Sequence, residues 1–276
     1  MGSRIRPELI ERVVVRGANW VGDAAMTVPA LRELRRVLPG AHVTLATRPW
    51  AEALFAGADF VDEVVAVSES KAAARSVWED AREWRARRFD LAVLFTNSFA
   101  PALSAALARV PLRVGFATQG RTPLLTHPLE VPAWRGQRHE VFYYLEIVSG
   151  IERLLRGSAT VDMGEPDTSL AVDESRRREA RALLHKSGAD LRRPLVALCP
   201  GSTNSRAKRW PVAAFAALAD MLAERAGAEV LLIGAREESE VSEEVARLAR
   251  NRPRVLTGET SLAQTAALLA ESDLLI

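Results

Sequence analysis

The chain has 276 residues, of which 48% are apolar and 26% charged, and carries a formal net charge of +2. This is an ordinary globular composition with room for two domains, and its charge is too small to point to nucleic acid. The single cysteine, Cys199, excludes an intrachain disulfide framework and suits a reducing compartment, and no run of about 18 uncharged apolar residues is present to cross a membrane.

The N-terminal stretch MGSRIRPELIERVVV is charged and carries no apolar core of a secretion signal. A first strand is predicted at Arg12–Val15, followed by a turn with Gly17 and Gly22. A helix then runs from Ala24 to Leu38 on the spacing of Ala24, Val28, Leu31, Leu34 and Leu38, and Pro39-Gly40 ends it. His42–Ala46, Val61–Val67, Phe89–Phe95 and Arg113–Phe116 read as further strands. Between them come a short helix, a charged helix over Lys71–Arg88 and another over Phe99–Ala108. Residues 117–137 read as an irregular connection, and a helix from His139 to Leu155 follows. The stretch Gly157–Val172, with Gly164, Glu165 and Pro166, reads as an interdomain linker.

The alternation then restarts. Helices are predicted at Glu174–Lys186, from Pro211 to Arg225, at Glu238–Arg250 and at Ser261–Leu269. Strands are predicted at Leu195–Leu198, Glu229–Ile233 and Arg254–Leu256. The final AESDLLI reads as a helix end and the first half of a buried strand. Two series of parallel βα units imply two doubly wound α/β domains, residues 1–164 and 165–276, facing a ligand cleft.

Four segments can carry chemistry. RGANWVGD, Arg16–Asp23, stands at a strand-to-helix turn, but its spacing is neither GxGxxG nor a P-loop. Asp23 there reads as a general base in the cleft or as a first-turn carboxylate favoured by the helix dipole. PGSTNSRAKRWP, Pro200–Pro211, places Ser202, Thr203, Ser205, Arg206, Lys208 and Arg209 at a helix entrance. Such a loop suits a diphosphate, or is simply a solvated basic loop. Glu237 and Glu238 in GAREESE fit either ribose hydroxyls or an acidic first turn. Arg48 and Arg113 stand near first-half strands and can hold an anionic acceptor or make rim salt bridges.

Trp20, Trp50, Trp134 and Trp210 lie in or near these loops and can stack on sugars or simply pack. The arginine-rich Arg82–Arg88 reads as a solvated helix face or a membrane-surface face. The four histidines lack zinc spacing, and DxD, GxSxG and CxxC are absent. Metal-free, cation-assisted departure of a diphosphate is the chemistry these residues suit.

The segments NWVGDAAMTVPALRELRRVLPGAHVTLATRPW and PGSTNSRAKRWP resemble the signatures of the lipopolysaccharide heptosyltransferases, glycosyltransferase family 9, most nearly its heptosyltransferase II branch. RVGF, GAREESE and SLAQTAALLAESDLLI fit as well, so the resemblance covers essentially the whole chain. It implies a GT-B fold and metal-independent, inverting transfer of L-glycero-D-manno-heptose from ADP-heptose to the lipopolysaccharide inner core. No cofactor beyond that donor is implied. Asp23 then matches the catalytic base. Lys208, Thr203 and Ser202 match donor contacts, Glu237 or Glu238 a ribose contact, and Arg48 and Arg113 the acceptor side.

The expected partners are ADP-heptose and an inner-core acceptor at the inner membrane, without nucleic acid. The expected location is cytoplasmic, or peripheral at the inner face of that membrane. In the family, a strand like SDLLI runs on into a loop of the type (S/N)D(T/S)GxxH that grips the donor. The second domain is therefore expected to be incomplete and turnover an open test. The competing readings are a nucleotide-sugar binding protein without turnover, and a GT-B transferase of another nucleotide sugar.

Overall fold

A computed structural model describes residues 5–70, 72–202 and 206–276. The chain divides into two compact units, Met1–Ala171 and Val172–Ile276. Residues 165–171, beyond the sequence boundary at 164, belong to the first unit. There Arg32 donates to the carbonyl oxygens of Asp167 (2.9 Å) and Ser169 (2.8 Å).

The first unit is built on six strands: β1 (Arg12–Arg16), β2 (His42–Thr47), β3 (Glu63–Ala66), β4 (Leu91–Leu94), β5 (Leu112–Phe116) and β6 (His127–Leu129). Their order is β3-β2-β1-β4-β5-β6, every pair parallel. In β1, Val13 faces Val43 on one side and Leu91 on the other. Val13, Val14 and Val15 are all buried because helices cover both faces of the sheet, which is why this strand is an unbroken apolar run.

The helices are α1 (Val21–Met26), α2 (Val28–Val37), α3 (Pro49–Phe55), α4 (Ala73–Arg87), α5 (Phe99–Leu107) and α6 (Glu140–Arg156). Successive strand residues point to opposite faces. Val13 and Val15 accordingly pack with Leu31 and Leu34 of α2 and Ile147 and Ile151 of α6. Val14 packs on the other face with Trp84 of α4 and Ala102 and Ala105 of α5.

Two details depart from the sequence reading. The helix expected from Ala24 to Leu38 is two helices meeting at Thr27. Pro29 has no N–H to donate to the Ala25 carbonyl, and the Thr27 hydroxyl turns back onto Ala24 O at 2.7 Å. The irregular stretch 117–137 contains β6, whose Pro128 is tolerated because this strand lies at the sheet edge.

The second unit has β7 (Leu195–Leu198), β8 (Glu229–Leu232), β9 (Arg254–Val255) and β10 (Leu274–Leu275) in the order β10-β7-β8-β9, again all parallel. Its helices are α7 (Glu174–Lys186), α8 (Val212–Arg225), α9 (Ser239–Leu248) and α10 (Leu262–Ala270). Leu195, Ala197 and Leu231 pack with Ala180 and Leu184 of α7 and Ala267 and Leu268 of α10. Val196, Leu198, Val230 and Leu232 pack on the opposite face with Phe215 and Ala219 of α8 and Val245 of α9. Asp173 caps α7 by accepting from the Arg176 N–H at 2.8 Å, and Ser261 caps α10 together with Gln264.

Candidate active site

In an open parallel sheet the ligand crevice opens beyond the strand C-termini where the strand order reverses. In the first unit that point lies between β1 and β4. Gly17, just after β1, passes so close to β2 that a Cβ there would lie 3.1 Å from Leu45 Cδ1 and 3.2 Å from Thr47 Oγ1. The loops after β1 and β4, with the start of α6, enclose a recess of about 240 Å³. Asn19, Asp23, Asn97, Glu140 and Tyr144 are among its lining residues.

Asp23 stands in the first turn of α1, half-buried. The N-cap is Trp20, which makes no side-chain capping bond, and no hydrogen bond or ion pair to the Asp23 carboxylate is found among the described residues. Burial pushes its pKa up, whereas a capping or paired carboxylate would be pushed down. Tyr144, beside it, is held protonated by burial first and then by the Asp23 charge. An acidic group of raised proton affinity, with no partner, facing a polar recess is equipped to take a proton from a bound hydroxyl.

Thr96 and Asn97, which line the recess, are held by hydrogen bonds from outside it. Arg121 is fully buried and donates from Nε to Phe116 O (2.9 Å), from Nη1 to Thr96 O and from Nη2 to Asn97 Oδ1 (3.3 Å). It thereby ties the ends of β4 and β5 together. The Tyr143 hydroxyl donates to the same Asn97 oxygen at 3.3 Å. The cost of burying this guanidinium shows in its pKa, lowered to about 10 by desolvation. Sequence reasoning missed Arg121, Asn97, Glu140 and Tyr144. The only early signal was a polar residue just after a strand, for Asn97, or at a helix start, for Glu140, and such residues abound.

A second recess, of about 260 Å³, opens beside the first and shares Asn19 and Ser98 with it. Arg16 and Arg48 both line it, with Asp80 and several serines. Arg16 is buried, donates to the Gly17 carbonyl and to Asn19 Oδ1 (2.8 Å), and has its pKa lowered to about 10 by burial and then by Arg48. Arg48 is half-exposed, 3.7 Å from Glu69. A charged residue ending an apolar strand just before a glycine was the available signal for Arg16. Arg113 lines neither recess. It is the second residue of β5, far from the strand's C-terminal end, and braces the carbonyls of Leu124 (2.6 Å) and Val110 (2.5 Å).

In the second unit, the loop after β7 holds Ser202 half-buried, its carbonyl accepting from Arg209 Nη2 at 3.0 Å. Lys208 is exposed and pairs with no carboxylate among the described residues. Trp210 meets Phe215 edge to face at 5.4 Å. Thr203 lies outside the described residues. The structure separates the two glutamates. Glu237 is exposed, whereas Glu238 is buried between the loops after β7 and β8 and accepts from the Ala235 N–H at 2.8 Å. A Cβ on Gly201 would lie 2.3 Å from Glu238 Cδ, and one on Gly234 would lie 2.7 Å from Glu238 Oε2. Two glycines therefore leave room for this one carboxylate at the strand ends. Among the described residues no group of three or more His, Cys, Asp or Glu is placed to hold a metal ion.

The sequence profile of glycosyltransferase family 9 (heptosyltransferase) matches residues 77–276. Lipopolysaccharide heptosyltransferase 2 of Salmonella typhimurium is 29% identical over 270 residues, spanning 94% of this chain and 74% of that protein. The protein of the same name from Escherichia coli K12 is 28% identical over 272 residues, with the same coverage of each. The solved structure of E. coli ADP-heptose lps heptosyltransferase II is similar with a TM-score of 0.78 and 26% identity, covering 96% of this chain and 78% of that one. A family 9 glycosyl transferase from Veillonella parvula shares the fold, with a TM-score of 0.85 and 22% identity over 100% of this chain and 77% of that one.

Proposed function

Because the chain belongs to glycosyltransferase family 9, we propose that it is a heptosyltransferase moving L-glycero-D-manno-heptose from ADP-heptose to the lipopolysaccharide inner core with inversion. The curated relatives of that activity span nearly all of it. The observation that carries the chemical assignment is the Asp23 carboxylate: unpartnered among the described residues, raised in pKa, and lining the recess where the strand order reverses.

Inversion requires one in-line displacement, and so a single base. An acceptor hydroxyl seated in the recess gives its proton to Asp23 as its oxygen bonds to the anomeric carbon. The bond from that carbon to the diphosphate oxygen breaks on the opposite side, and ADP leaves with the electron pair. Lys208 meets the charge that develops on the diphosphate, and Glu238 accepts from the ribose hydroxyls. Ser202 and Thr203 belong to the same donor loop. Arg16 and Arg48 face the acceptor side. The reaction draws on no cofactor beyond the donor. No helix among the described residues is long and apolar enough to cross a membrane, which fits a peripheral place beside a lipid-linked acceptor.

The test is release of ADP from ADP-heptose in the presence of an inner-core acceptor. Wild-type chain is expected to release ADP only when both substrates are present. Asp23→Ala should lower kcat by about 10²- to 10⁴-fold while leaving ADP binding intact. Full transfer by Asp23→Ala would sink the base assignment, and acceptor-independent release, or no binding of ADP-heptose by the wild type, would sink the heptosyl reading.

A further inference from the structure

The helix α4 presents two tryptophans with opposite fates. Trp84 is 2% exposed and packs into the core, whereas Trp78 is 65% exposed. Trp78 belongs to a stripe made of Ala74, Arg75, Trp78, Arg82, Arg85 and Ala86, all exposed and spaced by helical turns, while Val77, Ala81 and Trp84 form the buried stripe. Helix α5 lies alongside, its Ser104 hydroxyl donating to Val77 O at 3.3 Å. It adds exposed Phe99 and Leu107 and contains no acidic residue. Arg88 and Arg109, directly after the two helices, are exposed as well.

The stripe itself carries arginines and no carboxylate, with Glu79 and Glu83 flanking it. Glu79, at its edge, is already engaged by Arg75 (2.7 Å) and by the Ser68 hydroxyl (2.6 Å). Glu83 pairs with Arg87 at 3.1 Å. Arg82, Arg85, Arg88 and Arg109 form no salt bridge among the described residues. The chain as a whole is nearly balanced at +2, so the face is a local cationic excess with an indole at its centre. It is also continuous with the site, because Ala73, Ser76 and Val77 of α4 and Ala100, Pro101 and Ser104 of α5 line the Arg16 recess.

We propose that the outer face of α4 and α5 docks on an anionic lipid bilayer. Arginines of one sign are drawn to lipid phosphates, an exposed tryptophan settles at the headgroup level, and Phe99 and Leu107 add shallow apolar contacts. The exposed apolar groups are few and separate, which suits an interfacial surface more than a buried protein–protein core. Docking on this side brings the Arg16 recess, and the Asp23 recess joined to it, up against the membrane. The inference rests on the reading above that the acceptor is a lipid-linked saccharide.

Co-sedimentation of the full chain with phosphatidylglycerol–phosphatidylethanolamine vesicles tests it, with phosphatidylcholine vesicles as the neutral control. Retention is expected on the anionic vesicles only, falling as salt is raised. R82E/R85E should weaken it at least about 25-fold, at roughly fivefold for each arginine removed, and W78S should weaken it further. None of these residues lines either recess, so thermal melting and transfer to a deacylated, water-soluble acceptor should be unchanged in the variants. Equal retention of wild type and R82E/R85E, or no retention of wild type, overturns the docking surface. So does loss in the variants of binding to an acidic protein or RNA with vesicle binding untouched. Transfer to the soluble acceptor by a chain that ignores vesicles overturns only the surface; vesicle binding by a chain that does not bind ADP-heptose overturns the function instead.

Discussion

The raised proton affinity of Asp23 has a kinetic and a thermodynamic face, and both can be measured. Burial disfavours its charged form, so the folded protein holds this proton more tightly than the unfolded chain does. The stability linked to that proton is fully present below the ordinary aspartate pKa of 3.8 and is lost as pH rises through the folded value. Asp23→Asn is therefore expected to melt no lower than wild type at neutral pH, and to lose any advantage in acid, while abolishing transfer. In wild type, kcat/KM should fall on the acid side with an apparent pKa above the usual aspartate range. A variant that loses both stability and transfer would make Asp23 structural. The residue was legible in sequence because it follows a strand and a glycine turn. Its neighbours Asn97, Glu140 and Tyr144 were not, since they reach the recess only through the strand order. Arg113 shows the converse: the cation that opens RVGF reads as an acceptor contact, whereas its guanidinium braces the carbonyls of Leu124 and Val110.

Among the elements, α6 is fastened to α2 and to the segment that follows it through one buried carboxylate. Glu152 is 1% exposed and accepts from Arg36 Nη1 and Nη2, both at 3.2 Å, and from the Thr160 N–H at 2.6 Å. Burial alone would raise its pKa, but the bonds from Arg36 and Thr160 outweigh it and hold the value at about 2. Because the folded pKa is depressed, the associated stability is present above the ordinary glutamate value of 4.5 and is lost as pH falls towards about 2. Glu152→Ala should cost about 2 to 3 kcal/mol in urea unfolding at neutral pH, and the gap to wild type should close in acid. A gap that persists unchanged at low pH would assign the loss to packing. The apolar periodicity of α2 and α6 was readable. The break at Thr27 was not, because the spacing of apolar residues continues through it and only Pro29 signals the interruption. β6 was hidden because three residues with a central proline carry no alternation to detect.

For the molecule as a whole, the twofold series of βα units was legible from alternating apolar strands and amphipathic helices, and it emerges as two parallel-sheet units. The strand order within each sheet was not legible, since it depends on which strands pair across long crossovers and not on any local pattern. Separate cores give the two units separate responses to ligand. With ADP at a hundredfold excess over its Kd, the unit that binds it should gain about 2.7 kcal/mol. Amide exchange should slow in β7, β8 and α8 and stay unchanged in β1, β4 and β5. Protection confined to Met1–Ala171 would move the nucleotide site out of the second unit.

The wedge of Glu238 between Gly201 and Gly234 makes these positions hereditary partners. A side chain added at Gly201 collides with both the Cβ and the Cδ of Glu238, 2.7 and 2.3 Å away, so it cannot be accommodated by swinging the carboxylate's tip alone. A lineage that trades Glu238 for a smaller residue is thereby released to elaborate the loop after β7. One that keeps Glu238 is confined to glycine there, so any change in the loop after β7 at this point must pass through the glutamate first.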